Sequence, residues 1–131
     1  MTCIAIVDDD VSCAQFMADA LELQGWQALT YYRADGTYSL LREVQPDLVL
    51  LDVYLEQRDS GWRLLELLQL DPLTCSIPVV VCTADTSQLR EREAWLQERK
   101  ISILSKPFEL DALYATVDAA LAGRAQVPTP Y

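Results

Sequence analysis

The sequence predicts an α/β fold: a doubly wound, five-stranded parallel sheet with helices on both faces. Three observations carry this expectation. Short apolar runs alternate with helical stripes five times along the chain, the pattern of repeated strand–helix units. Most strand candidates are continuous apolar runs rather than alternating ones, which fits a sheet covered on both sides. The 131 residues match one ordinary domain and leave little room for a second.

The elements follow in order. Cys3 to Val7 is a β-branched apolar run ending at Asp8, a buried-strand signature. From Val11 to Leu23, Ala14, Met17 or Ala18, and Leu21 fall at helical spacing, and Gly25 stops the helix. Gln27 to Tyr32 reads as the second strand, the segment from Tyr32 to Tyr38 is weakly patterned, and Tyr38 to Val44 reads as a helix ended before Pro46. Leu48 to Leu51 is an apolar strand that ends at Asp52. A polar loop from Glu56 to Gly61 then precedes a helix from Trp62 to about Leu70. Pro78 to Cys82 is the fourth strand, ending at Thr83; Leu89 to Arg99 is a charged amphipathic helix, and Ile101 to Leu104 the fifth strand. After Lys106-Pro107-Phe108, the stripe of Leu110, Leu113, Tyr114, Val117 and Leu121 reads as the core face of a last helix. Gly123 marks its stop, so the domain is expected to span 1–123, with 124–131 as a loose tail.

Composition narrows the classes of function. Ten basic against 20 acidic residues leave a formal charge of −10, a surface that repels nucleic acid phosphates, and no basic stripe offsets it. No run of about 18 apolar residues spans a bilayer, and the N-terminus lacks the basic start of a signal peptide, so a cytoplasmic protein is expected. Cys3, Cys13, Cys75 and Cys82 form no CxxC pair, and no His is present to complete a zinc site. Buried or inert thiols are the expectation.

In a doubly wound sheet, ligands sit outside the carboxyl ends of the strands. Those ends carry Asp8 and Asp9, Asp52, Thr83, and Lys106 two positions beyond Leu104. Topology alone therefore gathers three carboxylates, a hydroxyl and an ammonium at one edge. Carboxylates crowded there repel unless a cation or protons intervene. Mg2+ suits the need, since it takes a few carboxylates plus waters and phosphate oxygens. Each residue also has a plainer use. Asp8 or, preferably, Asp10 could cap the first helix, Asp52 could start a turn, Thr83 could simply end a strand, and Lys106 could be a solvated charge.

Val7-Asp8-Asp9-Asp10, Asp47-Leu48-Val49-Leu50-Leu51-Asp52, Val81-Cys82-Thr83-Ala84 and Ser105-Lys106-Pro107-Phe108 together resemble the four signatures of the response-regulator receiver family, across residues 3 to 122. The resemblance implies a flavodoxin-like sheet with strand order 2-1-3-4-5. It implies that Asp52 is the nucleophile that becomes an acyl phosphate. By the same resemblance Asp9 ligates Mg2+ directly, Asp8 acts through a water, and the main-chain carbonyl of Tyr54 completes the protein's ligands. Lys106, whose bond to Pro107 is typically cis in the family and aims the ammonium inward, pairs with Asp52 or the phosphoryl oxygens, and Thr83 donates its hydroxyl to them. The implied donor is a phosphohistidine on a sensor histidine kinase or a histidine phosphotransfer protein. With no output segment expected after residue 122, the readout would be contact with a downstream protein target or a homodimer. Either would use the face of the fourth helix, fifth strand and fifth helix, where Trp95 is an anchor or a core residue.

The sequence also departs from that family. Ile103 stands where an aromatic usually signals occupancy, and its branched side chain has restricted rotation and no hydroxyl. Glu98-Arg99-Lys100 replaces a common Gly-Ala, Glu56 replaces a Pro, and Gly61 comes nine rather than eight positions after Asp52. Tyr54 and Asp85 occupy places that can gate the attacking water. These departures keep a phosphorylation-independent pseudo-receiver in view. A haloacid-dehalogenase-type phosphatase is a third reading, because Asp8-Asp9-Asp10-Val11-Ser12 partly matches its DxDx motif. Against it, Lys100 and Lys106 both follow Asp52 and the chain is short for that family.

Overall fold

The computed structural model describes residues 1–55, 59–84 and 89–126, with side chains described as far as residue 123. The loop positions Glu56, Gln57 and Arg58, the gating candidate Asp85 and the tail from Val127 to Tyr131 lie outside the described residues. Strands and helices alternate: β1 Cys3–Val7, α1 Val11–Leu23, β2 Gln27–Tyr31, α2 Thr37–Val44, β3 Leu48–Asp52, α3 Ser60–Leu70, β4 Val79–Thr83, α4 Leu89–Glu98, β5 Ser102–Ser105 and α5 Leu110–Gln126. The five strands form one parallel sheet in the order β2-β1-β3-β4-β5. The doubly wound fold expected from the sequence is the fold observed.

The apolar strands divide their side chains between two cores, as a side-chain period of two requires. Ala5, Val7, Val49, Leu51, Val79 and Val81 face a cluster with Leu41 of α2, Trp62 and Leu65 of α3 and Leu96 of α4. Ile4, Ile6, Leu48, Leu50, Val80 and Cys82 face a second cluster with Met17 and Leu21 of α1 and Leu113 and Val117 of α5. Of the α5 stripe, Leu113 and Val117 are therefore core, Tyr114 and Leu121 pack partly buried against it, and Leu110 is exposed. Continuous hydrophobicity in β1, β3 and β4 follows from burial on both sides. β2, at the edge, is only half buried.

Two helices end in the same hydrogen-bonded motif. After α1, Trp26 N–H donates to the Leu21 carbonyl and Gly25 N–H to that of Glu22, with Gly25 at φ 85°. After α4, Ile101 N–H donates to Leu96 and Lys100 N–H to Gln97, with Lys100 at φ 56°. Both are Schellman caps, whose left-handed position favours glycine. The second carries a lysine there, and α4 ends at Glu98 rather than Arg99, two residues before that lysine, as α1 ends two residues before Gly25.

Other boundaries moved for local reasons. β2 stops at Tyr31, β4 begins at Val79, and β5 runs from Ser102 to Ser105, one residue later than expected. In the weakly patterned segment, Gly36 takes φ 80° and the Thr37 hydroxyl donates to the Arg33 carbonyl, which starts α2 one residue early. α3 starts at Ser60, so Gly61 lies inside the helix instead of in the loop before it. α5 continues through Gly123 to Gln126. An exposed glycine in a helix costs only about 1 kcal/mol, too little to force a stop.

Candidate functional site

Parallel strands end at one edge, and there the sheet order sets β1 and β4 on either side of β3. Asp8 follows β1, and its side chain is fully buried. Its Oδ1 accepts the Asp10 N–H at 2.9 Å, while its backbone N–H donates to the Tyr31 carbonyl of β2 at 3.0 Å. Asp52 ends β3 and is half buried; its Oδ1 accepts the Tyr54 N–H at 2.9 Å. Thr83 ends β4, one step past the Asp52–Cys82 register pair, and is buried. Its carbonyl accepts the Lys106 N–H at 2.9 Å, which fixes the start of the segment after β5.

The Lys106 ammonium lies 2.6 Å from Asp8 Oδ2 and 3.1 Å from Asp52 Oδ2. It enters from the residue directly after β5, and the Lys106–Pro107 peptide that follows it is cis. Asp8 is thus the nearer partner. The sequence pointed to Asp52 or phosphoryl oxygens, and an Asp8 contact 98 positions away leaves no local signal. Burial pushes the Asp52 carboxyl above the ordinary carboxylate range, with the Tyr54 N–H and the Lys106 charge opposing it. For Lys106 burial disfavours the ammonium, but the Asp8 hydrogen bond and the charges of Asp52 and Asp8 outweigh this and hold its pKa above the usual value.

Asp8, Asp9 and Asp52 each bring a carboxylate oxygen within 4.8 Å of the others. Asp8 is buried, Asp52 half buried and Asp9 exposed, so the cluster opens toward solvent on one side. Three hard oxygen donors with a solvent-facing edge fit a divalent cation that keeps several waters. Asp10 belongs elsewhere: its Oδ1 accepts the Cys13 N–H at 3.1 Å as the N-cap of α1. That occupies the group a DxDx phosphatase would use as its acid and base.

The remaining candidates sort by position. Tyr54 is half buried and packs on the cluster shared by α2, α3 and α4. Ile103 is 38% exposed and borders a shallow surface groove with Leu89, Arg90 and Glu93. Trp95 packs partly on the core while the Arg99 guanidinium lies 4.2 Å above its ring, so it is neither wholly core nor a free anchor. The four thiols are free; burial pushes Cys82 up to about 12, Cys3 and Cys13 are half buried, and Cys75 is exposed. Sequence reasoning noted Gly61 for its spacing from Asp52 but left it in the loop and gave it no role at the site. A Ser-Gly pair ahead of an apolar helix was the available signal.

Comparison with known proteins points one way. A family profile described as Response regulator receiver domain matches residues 4–118. The chain is 30% identical over 118 residues to the phosphate regulon transcriptional regulatory protein PhoB of Pseudomonas aeruginosa, covering 90% of this chain and 51% of that one. It is 37% identical over 121 residues to the transcriptional regulatory protein ZraR of Escherichia coli K12, covering 91% of this chain and 26% of that one. The chain therefore spans about half the length of one relative and about a quarter of the other. A crystal structure of a two-component response regulator from Clostridium difficile matches with a TM-score of 0.81 at 26% identity, over 97% of this chain and 100% of that one.

Proposed function

The chain belongs to the response regulator receiver family, and on that premise we propose that it is a phosphorylation switch with Asp52 as acceptor. Receiver domains are signalling domains that bind Mg2+ at an acidic pocket and interact with histidine kinases or phosphotransfer proteins. For this chain the donor is a phosphohistidine on a sensor histidine kinase or histidine phosphotransfer protein. An Asp52 carboxylate oxygen attacks phosphorus, the P–N bond breaks, and the imidazole leaves with the bonding pair. The product is an acyl phosphate, which water later hydrolyses to reset the switch. The only catalysis is this self-phosphorylation and slow self-dephosphorylation.

The single observation that carries the reading is the Lys106 ammonium shared between Asp8 and Asp52 at the rim of the carboxylate cluster. Phosphoryl transfer asks mainly for positioning and for charge on the equatorial oxygens. Asp52 is already oriented, one oxygen on the Tyr54 N–H and the other on Lys106. When the phosphoryl group arrives, Lys106 stays beside the acceptor and neutralises the incoming oxygens, and the Thr83 hydroxyl donates to them. Asp8, Asp9, Asp52 and the Tyr54 carbonyl would hold Mg2+, which supplies the positive charge that draws the phosphoryl oxygens to the acceptor.

Residues 1–123 would be the receiver, working in the cytoplasm. The signal would pass to a downstream protein, or to a second copy, through α4, β5 and α5. No direct contact with nucleic acid is proposed. Ile103 favours a second reading, a phosphorylation-independent binding module, because an exposed aliphatic residue lacks an aromatic hydroxyl that could report the site's state. Titration with beryllofluoride and Mg2+ separates the two. A switch binds the phosphoryl mimic at millimolar Mg2+, with Asp52→Asn abolishing it; no binding by the intact chain supports the module.

A further inference from the structure

We propose that Gly61 is a positioning residue for the acceptor, holding the Val53–Tyr54 backbone where the Tyr54 N–H meets Asp52. The inference rests on the functional reading above and goes one residue layer beyond it. A Cβ built on Gly61 would lie 2.2 Å from the Val53 carbonyl oxygen and 2.4 Å from its carbonyl carbon and Cα. All three are backbone atoms, so no rotamer change relieves the overlap. Ordinary carbon contact begins near about 3.5 Å, so the segment would have to move by roughly an ångström.

Backbone conformation does not explain the glycine. Among the described residues, the glycines with positive φ are Gly25 and Gly36, and both have open space where a Cβ would stand. Gly61 has the reverse: no unusual φ and no space. Its neighbours leave little slack, since Val53, Leu55 and Trp62 are buried in the same cluster. Space is what the position requires.

The consequence falls on Asp52. The Val53 carbonyl and the Tyr54 N–H share one planar peptide unit, so displacing the first turns the second. That N–H is the 2.9 Å donor to Asp52 Oδ1. The Tyr54 carbonyl, one of the proposed ligands, moves with it. Gly61 touches neither phosphate nor metal; it acts through the Tyr54 backbone.

The test uses the full chain, 15N-labelled and titrated with MgCl2, comparing wild type with Gly61→Ala and with Gly123→Ala. The last site is exposed with nothing within 4 Å of a Cβ. Gly61→Ala should displace the Tyr54 amide resonance before any Mg2+ is added and raise the Mg2+ Kd by about tenfold or more, as loss of a supporting group does. Gly123→Ala should leave both unchanged. A lower Tm with the Tyr54 resonance and the Kd unmoved would make Gly61 merely structural and overturn the proposal. If wild type binds no Mg2+, the functional reading fails, and the Tyr54 resonance alone decides the role of Gly61. If Gly61→Ala does not fold, hydrogen exchange of wild type decides. Tyr54 should then open together with Leu64 and Leu65 of α3 as one unit, and exchange by a separate opening more than about tenfold faster would overturn the proposal.

Discussion

Replacing Lys106 with Met removes the ammonium bonded to both Asp8 and Asp52 and leaves most of the side-chain volume in place. Asp8 is fully buried, and the Asp52 and Lys106 side chains are 12% and 16% exposed. Two carboxylates whose oxygens lie within 4.8 Å of each other, as in this cluster, repel by at least about 3 kcal/mol at an effective dielectric of 20. Stripping one partner from a buried ion pair typically costs about 3–5 kcal/mol. The open edge of the site favours the lower end, so Lys106→Met should lose about 3 kcal/mol at pH 7.5. For a domain of this size that is about 10 °C in Tm.

The loss should depend on pH with a defined sign. Burial already raises the Asp52 pKa in the folded protein, and removing the Lys106 charge raises it further. A carboxyl whose folded pKa exceeds its unfolded value takes up its proton more readily in the native state. The deficit is therefore full above that folded pKa and shrinks as pH falls through it toward the ordinary carboxyl value of about 4. Urea unfolding of wild type and Lys106→Met at pH 7.5 and pH 5, without metal, measures it. Equal stability at pH 7.5, or a deficit that does not change with pH, would refute the reasoning.

Further outcomes follow from single contacts. Lys100→Gly should stabilise the chain by about 1 kcal/mol, because it relieves a left-handed residue at φ 56° without altering the cap's hydrogen bonds; a lower Tm would contradict this. Tyr38→Phe removes the hydroxyl that joins α2 to Asp71, leaving Asp71 with Arg42 at 2.9 Å and the Leu73 N–H, and should cost about 1 kcal/mol in urea unfolding. Tyr54→Asn should shorten the lifetime of phosphoryl-Asp52 if the bulky ring shields the acyl phosphate from water; a longer lifetime would dismiss that shield. Millimolar Mg2+ should raise the Tm of wild type, by about 2.7 kcal/mol of stability at a hundredfold excess over Kd, and do so far less for Asp52→Asn.

Strand ends were the most legible part of the molecule. Val7–Asp8, Leu51–Asp52 and Cys82–Thr83 each switch abruptly from apolar to polar, and parallel strands must end on one edge, so the meeting of Asp8, Asp9, Asp52 and Lys106 could be read without coordinates. Gly25 announced its cap for the same kind of reason, since the residue type and the conformation agree. Lys100 hid an identical cap because lysine carries no left-handed signal. Gly61 was hidden by its polar neighbours: Asp59 and Ser60 look like loop, and the need for an empty Cβ arises only when α3 lies on the Val53 backbone. The preference of Lys106 for Asp8 is likewise a product of tertiary distance. The capping role of Asp10 was legible, because an Asp just ahead of a helical stripe has a local partner three residues on.

Phosphotransfer tests the central claim most directly. Candidate phosphorylated kinases or phosphotransfer proteins would be mixed with wild type and with Asp52→Asn, with and without a chelator. The account predicts Mg2+-dependent labelling of wild type that is lost both in the variant and on chelation. Equal labelling of Asp52→Asn would show that the strand-tip cluster is not built around that acceptor.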